Sequence, residues 1–339
     1  MKTPRGRRIL RLLNGLGFFV AAALIFLGPA IAQAAGKSVI RLSWKVKGEY
    51  APLYVALDKG YYKAEGLNVA VEPGSGASVA IKLIATGKDQ FAYIGGLETA
   101  QGVGKDIPIR MVANFVKKLP VGVAAHPHIQ LKTPKDLEGK KLAVAPVDSF
   151  VAILPAFARA HKLDLAKINV IKLGWGSRVP AFMRGETELI TIYFTNDLPV
   201  MEAKMGKKLN TLASFDWGFK LLGHGLVVSN DYLAANGDTI RKVLRASAKG
   251  WADTLKNPRE AAEIIAKRFQ TLKVDITERQ LIINNGLTRS PATKGKPLGW
   301  QAAEDWKETL DTLQKTGGIA KRKELKAYYT NEFVGGASM

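Results

Sequence analysis

The chain has 339 residues, 47% of them hydrophobic, and its 50 Lys and Arg against 29 Asp and Glu give a formal charge of +21. This composition excludes an intrinsically disordered chain and leaves room for two ordinary domains, each with its own core. The sequence contains no cysteine, which excludes disulfide bonds, thiolate metal sites and cysteine nucleophiles.

The N-terminal segment differs from the rest of the chain. Five basic residues and no acidic one accompany an apolar run over 16–27, and the triplet A-Q-A follows at 32–34. A basic segment, a short apolar segment and an A-x-A site predict a secretory signal peptide over 1–34, and therefore a periplasmic protein. The run of about 12 apolar residues is too short to cross a bilayer as a helix, which disfavours a retained membrane anchor.

The positive charge is spread along the chain. The densest basic groups, at 135–141, 204–208 and 321–326, are short and interleaved with apolar or acidic residues. A basic surface attracts anionic solutes and lipid headgroups. No basic stripe with interleaved aromatic residues is present, so we expect no nucleic-acid partner.

After the signal peptide, strand and helix patterns alternate. Strands are predicted at 38–43, 67–72, 91–94 and 109–116, with helices at 52–60, 77–86 and 97–103 between them. This rhythm is typical of βαβ units in an open, largely parallel sheet.

A second series of the same kind follows. It comprises strands at 121–125, 142–146, 169–173, 189–194 and 209–215 and helices at 150–161 and 180–184. A strand at 223–229 then returns to the first series, and helices are predicted at 239–256, 258–269, 278–285, 300–316 and 321–329.

These two series predict an α/β protein with two lobes and two crossovers. The first lobe is expected to comprise 35–122 and 223–339, and the second 123–222. Ligands of open α/β sheets lie beyond the carboxyl ends of the strands. Two facing lobes place those ends on one shared cleft, which is a preferred ligand site.

Several short segments are distinctive in their order along the chain. They are L-S-W at 42–44, A-P-L-Y-V-A at 51–56, K-G-Y-Y-K-A-E-G-L-N-V at 59–69, L-E-G-K-K-L-A-V at 137–144, G-E-T-E-L at 185–189, A-K-G-W at 248–251, N-P-R-E-A-A at 257–262 and Y-T-N-E-F at 329–333. Together they resemble the periplasmic substrate-binding proteins of ABC importers for nitrate, sulfonates, taurine and thiamine-pyrimidine precursors. At 188–189 this chain has Glu-Leu where the family usually has Asp-Ala.

The resemblance implies a type II periplasmic binding fold, with two open mixed sheets, a hinge and a cleft between the lobes. It further implies a monomer that traps a solute by hinge closure and delivers it to a membrane permease, without a cofactor. Family ligands range from inorganic anions to heterocycles. The cargo is therefore either an aromatic or heterocyclic molecule, such as a pyrimidine precursor, or an organic anion such as a sulfonate, a taurine-like compound or an aromatic carboxylate.

Candidate ligand-binding residues are those expected at the cleft. They are Trp44, Tyr50, Ser75, Gly76, Gly96, Thr99, Asp148, Ser149, Arg178, Tyr193, Asn196 and Trp217. The aromatic side chains offer stacking, helix starts offer free N–H groups, and Arg178 offers a bidentate grip on a carboxylate or sulfonate. Each also has a structural interpretation, namely a core aromatic residue, an ordinary βα turn or a surface arginine.

Two other classes of function stay open. One is an enzyme of thiamine-pyrimidine assembly, but that branch of the family carries a cysteine-rich iron motif and this chain has no cysteine. The other is a ligand-sensing domain that signals to a membrane partner, which requires a retained anchor. No H-E-x-x-H, G-x-S-x-G or P-loop motif is present. The spacing His126-x-His128 is only a minor indication of a metal site.

Overall fold

A computed structural model describes residues 36–146 and 148–335. The predicted signal peptide lies outside the described residues. Among them, no helix combines the length and apolar character that crossing a membrane requires.

The strands of the two predicted series form two separate five-stranded sheets. The first series contributes β1 (Ser38–Leu42), β2 (Val69–Glu72), β3 (Phe91–Gly95) and β4 (Ile109–Asn114). The second series contributes β5 (Val121–Ala125), β6 (Lys141–Val144), β7 (Asn169–Lys172), β8 (Leu189–Tyr193) and β9 (Asn210–Ala213), and β10 (His224–Ser229) follows. The spatial orders are β2-β1-β3-β10-β4 and β7-β6-β8-β5-β9, so the two-sheet α/β architecture is confirmed.

Both sheets are mixed rather than largely parallel. In the first sheet β10 lies antiparallel to both β3 and β4. In the second sheet β5 lies antiparallel to both β8 and β9. The two antiparallel strands are those that directly follow a passage from one sheet to the other.

Helices flank both sheets. In the first series they are α1 (Ala51–Asp58), α2 (Tyr61–Ala64), α3 (Ala77–Ala85) and α4 (Gly96–Gly104), and in the second α5 (Ser149–Ala160), α6 (Trp175–Met183) and α7 (Asp197–Met205). The C-terminal part adds α8 (Asn230–Ala235), α9 (Gly237–Lys256), α10 (Pro258–Arg268), α11 (Val274–Asn285) and α12 (Ala303–Thr316).

The helix predictions missed α2, α7 and α8 and placed one helix wrongly. Helix α7 was not predicted, because its polar and charged residues give it no clear apolar face. The predicted helix at 321–329 contains only the 3-10 turn Leu325–Ala327. There the chain runs beside β4 instead: Met111 N donates to Tyr328 O at 2.9 Å and Thr330 N donates to Met111 O at 3.0 Å.

Two crossover segments join the lobes. Residues 115–120 lead from β4 to β5, and 214–223 lead from β9 to β10. The segments are hydrogen-bonded to each other, because Leu119 N donates to Leu221 O at 2.7 Å. The Asn114 side-chain amide adds a bond to Gly223 O at 2.9 Å. The exact lobe boundaries stay a prediction.

A continuous apolar cluster runs through both lobes, and we call its part around α5 and α12 the apolar junction. Its buried members there include Phe150 and Phe157 of α5, Phe219 of the second crossover and Leu310 of α12. Phe157 and Phe219 have ring centroids 5.1 Å apart. Burial of apolar surface therefore holds the lobes together beside the crossovers.

Candidate functional site

The candidate site lies where strand ends of both sheets meet. Ser43 follows β1, Tyr93 lies near the end of β3, and Tyr193 ends β8 in the second lobe. His224 begins β10 and reaches the same edge because that strand runs in the opposite direction, with His224 paired to Gly95. The strand directions thus bring these side chains together.

We call Ser43, Tyr50, Tyr93, Tyr193 and His224 the cleft cluster. The Ser43 hydroxyl lies 2.9 Å from Tyr50 Oη and 3.1 Å from His224 Nε2. The Tyr193 hydroxyl crosses from the second lobe to His224 Nδ1 at 3.4 Å. The Tyr93 and His224 rings are stacked, with centroids 5.2 Å apart. Aromatic and hydroxyl groups from both lobes therefore form one connected surface.

Two tryptophans face each other beside this cluster. Trp44 of the first lobe and Trp175 of the second have ring centroids 5.6 Å apart, with an angle of 47° between the rings. The Trp175 side is open to solvent, since the residue is 44% exposed. The two indoles contact each other directly, so a planar ring can stack on either of them only by taking the place of the other.

A buried carboxylate joins the two lobes. Glu49 is 4% exposed. It accepts hydrogen bonds from Thr195 Oγ1 at 2.8 Å and Asn196 Nδ2 at 2.9 Å. Gln280 of α11 donates to Asn196 O at 3.0 Å. We call these contacts, with the outer Arg279–Glu202 ion pair, the polar seam.

Burial controls the protonation of the cleft tyrosines. It raises the pKa of Tyr50, Tyr93 and Tyr193 well above the usual value, and the charge of Glu49 raises the pKa of all three further. Their hydroxyls are therefore protonated at neutral pH and available as hydrogen-bond donors. Burial also raises the pKa of Glu98, an effect that His224 opposes.

Three buried polar atoms in this region lack a hydrogen-bond partner within the described chain. One is Arg178 Nε, beside Trp175. The other two, at the cleft cluster and the polar seam, are the Tyr93 hydroxyl and the Asn196 side-chain oxygen. Most buried polar groups in proteins are hydrogen-bonded, so an unpaired one calls for an explanation. A polar solute in the cleft offers partners for the Tyr93 and Asn196 atoms.

The one arginine predicted to grip an anion has other partners. Arg178 is 2% exposed and lies 3.1 Å from Asp197 and 3.7 Å from Asp148. Its guanidinium also donates to Thr191 O and lies 5.2 Å from the centre of the Trp175 ring. Asp148 meanwhile caps α5 by accepting from Phe150 N at 2.8 Å. Arg178 is thus an internal support of the second lobe.

Residues 47–261, more than half of the chain, match the model of the NMT1/THI5-like family. The chain belongs to this family. The riboflavin-binding protein RibY of Chloroflexus aurantiacus is 27% identical over 297 residues, which cover 86% of this chain and 84% of that protein. The formylaminopyrimidine-binding protein of Halalkalibacterium halodurans is 23% identical and covers 81% of this chain and 83% of its own.

One relative of this chain is named as an enzyme. The 4-amino-5-hydroxymethyl-2-methylpyrimidine phosphate synthase of Aspergillus parasiticus is 23% identical over 65% of this chain and 67% of its own. Among solved structures, the periplasmic aliphatic sulphonate binding protein SsuA of Escherichia coli has a TM-score of 0.68 at 16% identity, covering 89% of this chain and 95% of that one. The predicted family, periplasmic binding fold and ligand-binding role are confirmed.

Only some of the predicted ligand-binding residues lie at the cleft. Tyr50 and Tyr193 belong to the cleft cluster, Trp44 faces Trp175, and Asn196 lies in the polar seam. These four stay predictions as ligand contacts, now with a common location.

The predicted helix-start residues have mainly structural environments. The Thr99 hydroxyl is buried and donates to Gly95 O at 2.8 Å. The Gly96 backbone packs so closely on Leu222 that a Cβ would lie 2.5 Å from the Leu222 Cβ. Gly76 has a φ of 141° at the start of α3 and lies beside exposed Ser75. Ser149 is the half-buried first residue of α5.

Trp217 lies apart from the cleft cluster. Its ring packs edge-on against His161 at 5.7 Å, in the apolar cluster around α5. The His126 and His128 rings stack on each other at 5.7 Å, but no group of three metal-ligating side chains occurs in the part of the chain that the structure describes.

Sequence reasoning missed Glu49, Tyr93 and Trp175. Tyr93 carried a signal, since it comes just before Gly95-Gly96 at the end of a predicted strand. Trp175 carried one as well, because it directly follows a predicted strand end and Gly174. Glu49 carried none, because its partners lie about 146 residues away along the chain.

Proposed function

We propose that this protein is an exported solute-binding protein that captures a small planar aromatic or heterocyclic molecule between its lobes and delivers it unaltered to an ABC importer. One observation carries the proposal. Aromatic side chains from both lobes face each other beside two buried polar atoms that lack partners, Tyr93 Oη and Asn196 Oδ1.

The geometry suits a flat ring with polar edges. Trp44 of the first lobe and Trp175 of the second each offer a stacking face to a ring that takes the place of the other indole. The protonated Tyr93 hydroxyl offers a donor to a ring nitrogen or carbonyl, and Asn196 Oδ1 offers an acceptor to an amino or ring N–H group. A ligand held in this way draws the lobes together, which is the closure motion of two-lobed binding proteins.

The relatives' names support a heterocyclic cargo. One relative is named for riboflavin and another for formylaminopyrimidine, and both compounds are planar heterocycles with several hydrogen-bonding groups. The alternative, an organic anion such as a sulfonate, draws support from the chain's positive charge and from the name of its structural neighbour SsuA. The engagement of Arg178 by two carboxylates disfavours it.

The remaining parts of the proposal concern place and partners. The sequence of 1–34 supports export, and the solved neighbour SsuA is named periplasmic. We propose that the protein acts as a monomer in the periplasm, with an inner-membrane permease as its macromolecular partner and no nucleic acid. An enzyme of pyrimidine synthesis is disfavoured by the absence of cysteine.

A thermal-shift and calorimetric screen of riboflavin, pyrimidines, aromatic acids and sulfonates tests the cargo. A ligand present at 100 times its Kd adds about 2.7 kcal/mol to the free energy of unfolding. We expect a planar heterocycle to bind, and Trp175→Ala to weaken it at least tenfold. Trp217→Ala is the matched control, because this tryptophan packs on His161 and its removal leaves affinity unchanged.

Two results contradict the proposal. One is chemical conversion of a bound compound, detected by mass spectrometry, which indicates an enzyme. The other is a screen in which only non-planar compounds bind. Export is tested separately by N-terminal sequencing of the secreted protein, which we expect to begin near Ala35.

A further inference from the structure

The charge inside the cleft is opposite in sign to the charge of the whole chain. The sequence carries +21, yet two carboxylates lie beside the cleft cluster. Glu49 precedes Tyr50 and bonds to Thr195 and Asn196. The Glu98 carboxylate lies against Gly95, the strand partner of His224. Within the described chain no Lys or Arg approaches either carboxylate to within the 4.0 Å of an ion pair. Lys45 and Lys47, on the loop that carries Trp44, make no ion pair with Glu49.

The one buried arginine nearby does not offset these carboxylates. Arg178 is shared between Asp148 and Asp197, so the local sum of these three groups is itself negative. Glu49 and Glu98 are therefore two carboxylates beside the cleft cluster without an ion-pair partner among the described residues. Charges act strongly on one another there because the site is shielded from water.

The tyrosines of the cleft cluster respond to this field. After burial, the largest influence that raises the pKa of Tyr50, Tyr93 and Tyr193 is the Glu49 carboxylate, and Glu98 adds to it at Tyr193. No lysine or arginine is among the groups that act on these three hydroxyls most strongly. The Glu49 carboxylate is thus close enough to act on hydroxyls of both lobes.

We propose that the cleft selects uncharged or cationic planar solutes and excludes anions, and that Glu49 and Glu98 set this selectivity. The inference rests on the proposed function and narrows its ligand class. It separates this chain from an anion-binding protein of the same fold. Like charges brought together in a water-poor site repel strongly, whereas an amino or ring N–H group finds an acceptor there.

The selectivity has a chemical basis in the ligand's edge. A heterocycle with an amino group and a ring nitrogen presents a donor toward a carboxylate and an acceptor toward the Tyr93 hydroxyl. A phosphate or sulfonate on the same ring brings only acceptors and a negative charge, which neither Glu49 nor Glu98 can pair with.

Two series of compounds with one ring and different charge test this proposal. The pyrimidine series is 4-amino-5-hydroxymethyl-2-methylpyrimidine, its anionic phosphate ester and the cationic 5-aminomethyl analogue. The flavin series is riboflavin and the anionic flavin mononucleotide. Dissociation constants are measured by calorimetry on the full mature chain, with Glu49→Gln and Glu98→Gln as test variants. Glu65→Gln is the matched control, since Glu65 pairs with Arg245 instead.

We expect the neutral or cationic member of at least one series to bind at least tenfold more tightly than its phosphate ester. Glu49→Gln or Glu98→Gln should narrow that ratio at least threefold, whereas Glu65→Gln leaves it unchanged. The ratio is the readout, because Glu49→Gln also disturbs the polar seam and lowers all affinities together.

Equal or tighter binding of a phosphate ester overturns the charge selectivity and leaves the proposed planar-solute function standing. If neither Glu49→Gln nor Glu98→Gln changes the ratio of the two affinities, these carboxylates do not cause the selectivity, and the role assigned to them is wrong. Failure of all five compounds to bind contradicts the proposed function first, and this inference falls with it.

Discussion

The two lobes meet through two regions of opposite chemistry. At the apolar junction, side chains such as Phe157, Phe219 and Leu310 are buried in one continuous cluster. At the polar seam, Glu49, Thr195 and Asn196 are joined by hydrogen bonds. Separating an apolar interface exposes apolar surface to water, which is unfavourable. Separating a polar interface exposes groups that can form hydrogen bonds to water instead.

This difference indicates how the protein opens. Separating the apolar junction exposes buried aromatic and aliphatic surface, so that region stays closed in every state. Separating the polar seam exposes groups that water satisfies, so the net free-energy change is small. We therefore expect the lobes to pivot near the junction and the crossovers and to part at the seam.

The largest expected effect is at the apolar junction. Phe157→Ala removes a ring that contacts Phe150, His161 and Phe219, and we expect it to lower the free energy of unfolding by about 3–5 kcal/mol. Chemical denaturation measures the loss. Phe157→Leu is the milder control, and a loss below 1 kcal/mol for Phe157→Ala would contradict the proposed role of the junction.

The next effect is at the polar seam. Thr195→Val keeps the shape of a residue that is fully buried but removes the donor to Glu49. A hydrogen bond to a charged group contributes about 1.5–3 kcal/mol. We expect Thr195→Val to weaken ligand binding by this amount and to shift the protein toward the open state. The radius of gyration of the variant, measured by solution scattering, should therefore exceed that of the wild type.

Thr187→Val serves as the control for Thr195→Val, because Thr187 is also buried but its hydroxyl has no hydrogen-bond partner in the described chain. Its scattering curve should match that of the wild type. An unfolding midpoint that falls for Thr195→Val without any change in affinity or scattering is the result that would exclude a role in closure.

A third effect concerns a lysine buried in the first crossover. Burial lowers the pKa of Lys117 to about 7, against the opposing influence of Asp305 and with a further lowering from Arg289. Its amine contacts Trp300 O at 2.6 Å and Asn114 O at 2.5 Å. The unfolded chain binds this proton more strongly than the folded one, so stability should rise with pH above about 7.

Comparison of the wild type with Lys117→Met measures that effect. The difference in unfolding free energy should shift in favour of the wild type by about 1–2 kcal/mol between pH 7 and pH 8.5. Lys118→Met, at the adjacent half-buried lysine, is the control. If the difference in unfolding free energy between wild type and Lys117→Met does not change between pH 7 and pH 8.5, the pKa of Lys117 in the folded protein is not near 7.

The smallest effect is at the outer edge of the seam. Arg279→Ala removes one partner of Glu202, which keeps Lys208 and the backbone N–H of Leu209. Glu202 is buried but keeps these two partners, and Arg279 is 38% exposed, so we expect chemical denaturation to show a loss of about 1 kcal/mol or less. A large, salt-independent loss would place this pair among the essential contacts of the seam.

The part of the site that follows strand ends could be predicted from the sequence. Trp44 was predicted because it directly follows a strand, Tyr50 because it precedes a helix, and Tyr193 because the resembling family places that stretch at the cleft. Tyr50 and Tyr193 both occur in the cleft cluster. The positions of most strands and helices followed from local patterns, which depend only on neighbouring residues.

The rest depends on contacts between distant residues. Arg178 was predicted at the start of a helix, but only the fold brings Asp148 and Asp197 to it. Its role as an anion grip stays a prediction, which these two contacts disfavour. Glu49 and its partners Thr195 and Asn196 are also far apart in sequence. The same holds for Tyr329 and Met111 of β4, which pair as in a sheet. Local periodicity carries no information about such pairs.

The insertion of β10 between β3 and β4 sets the order in which the chain can fold. That strand begins at His224, after every strand of the second sheet. During synthesis from the N-terminus, β3 and β4 therefore lack the strand that lies between them until more than a hundred further residues have been synthesised. Such long-range pairing slows folding, and a chain that stays incomplete for longer keeps apolar surface exposed to chaperones.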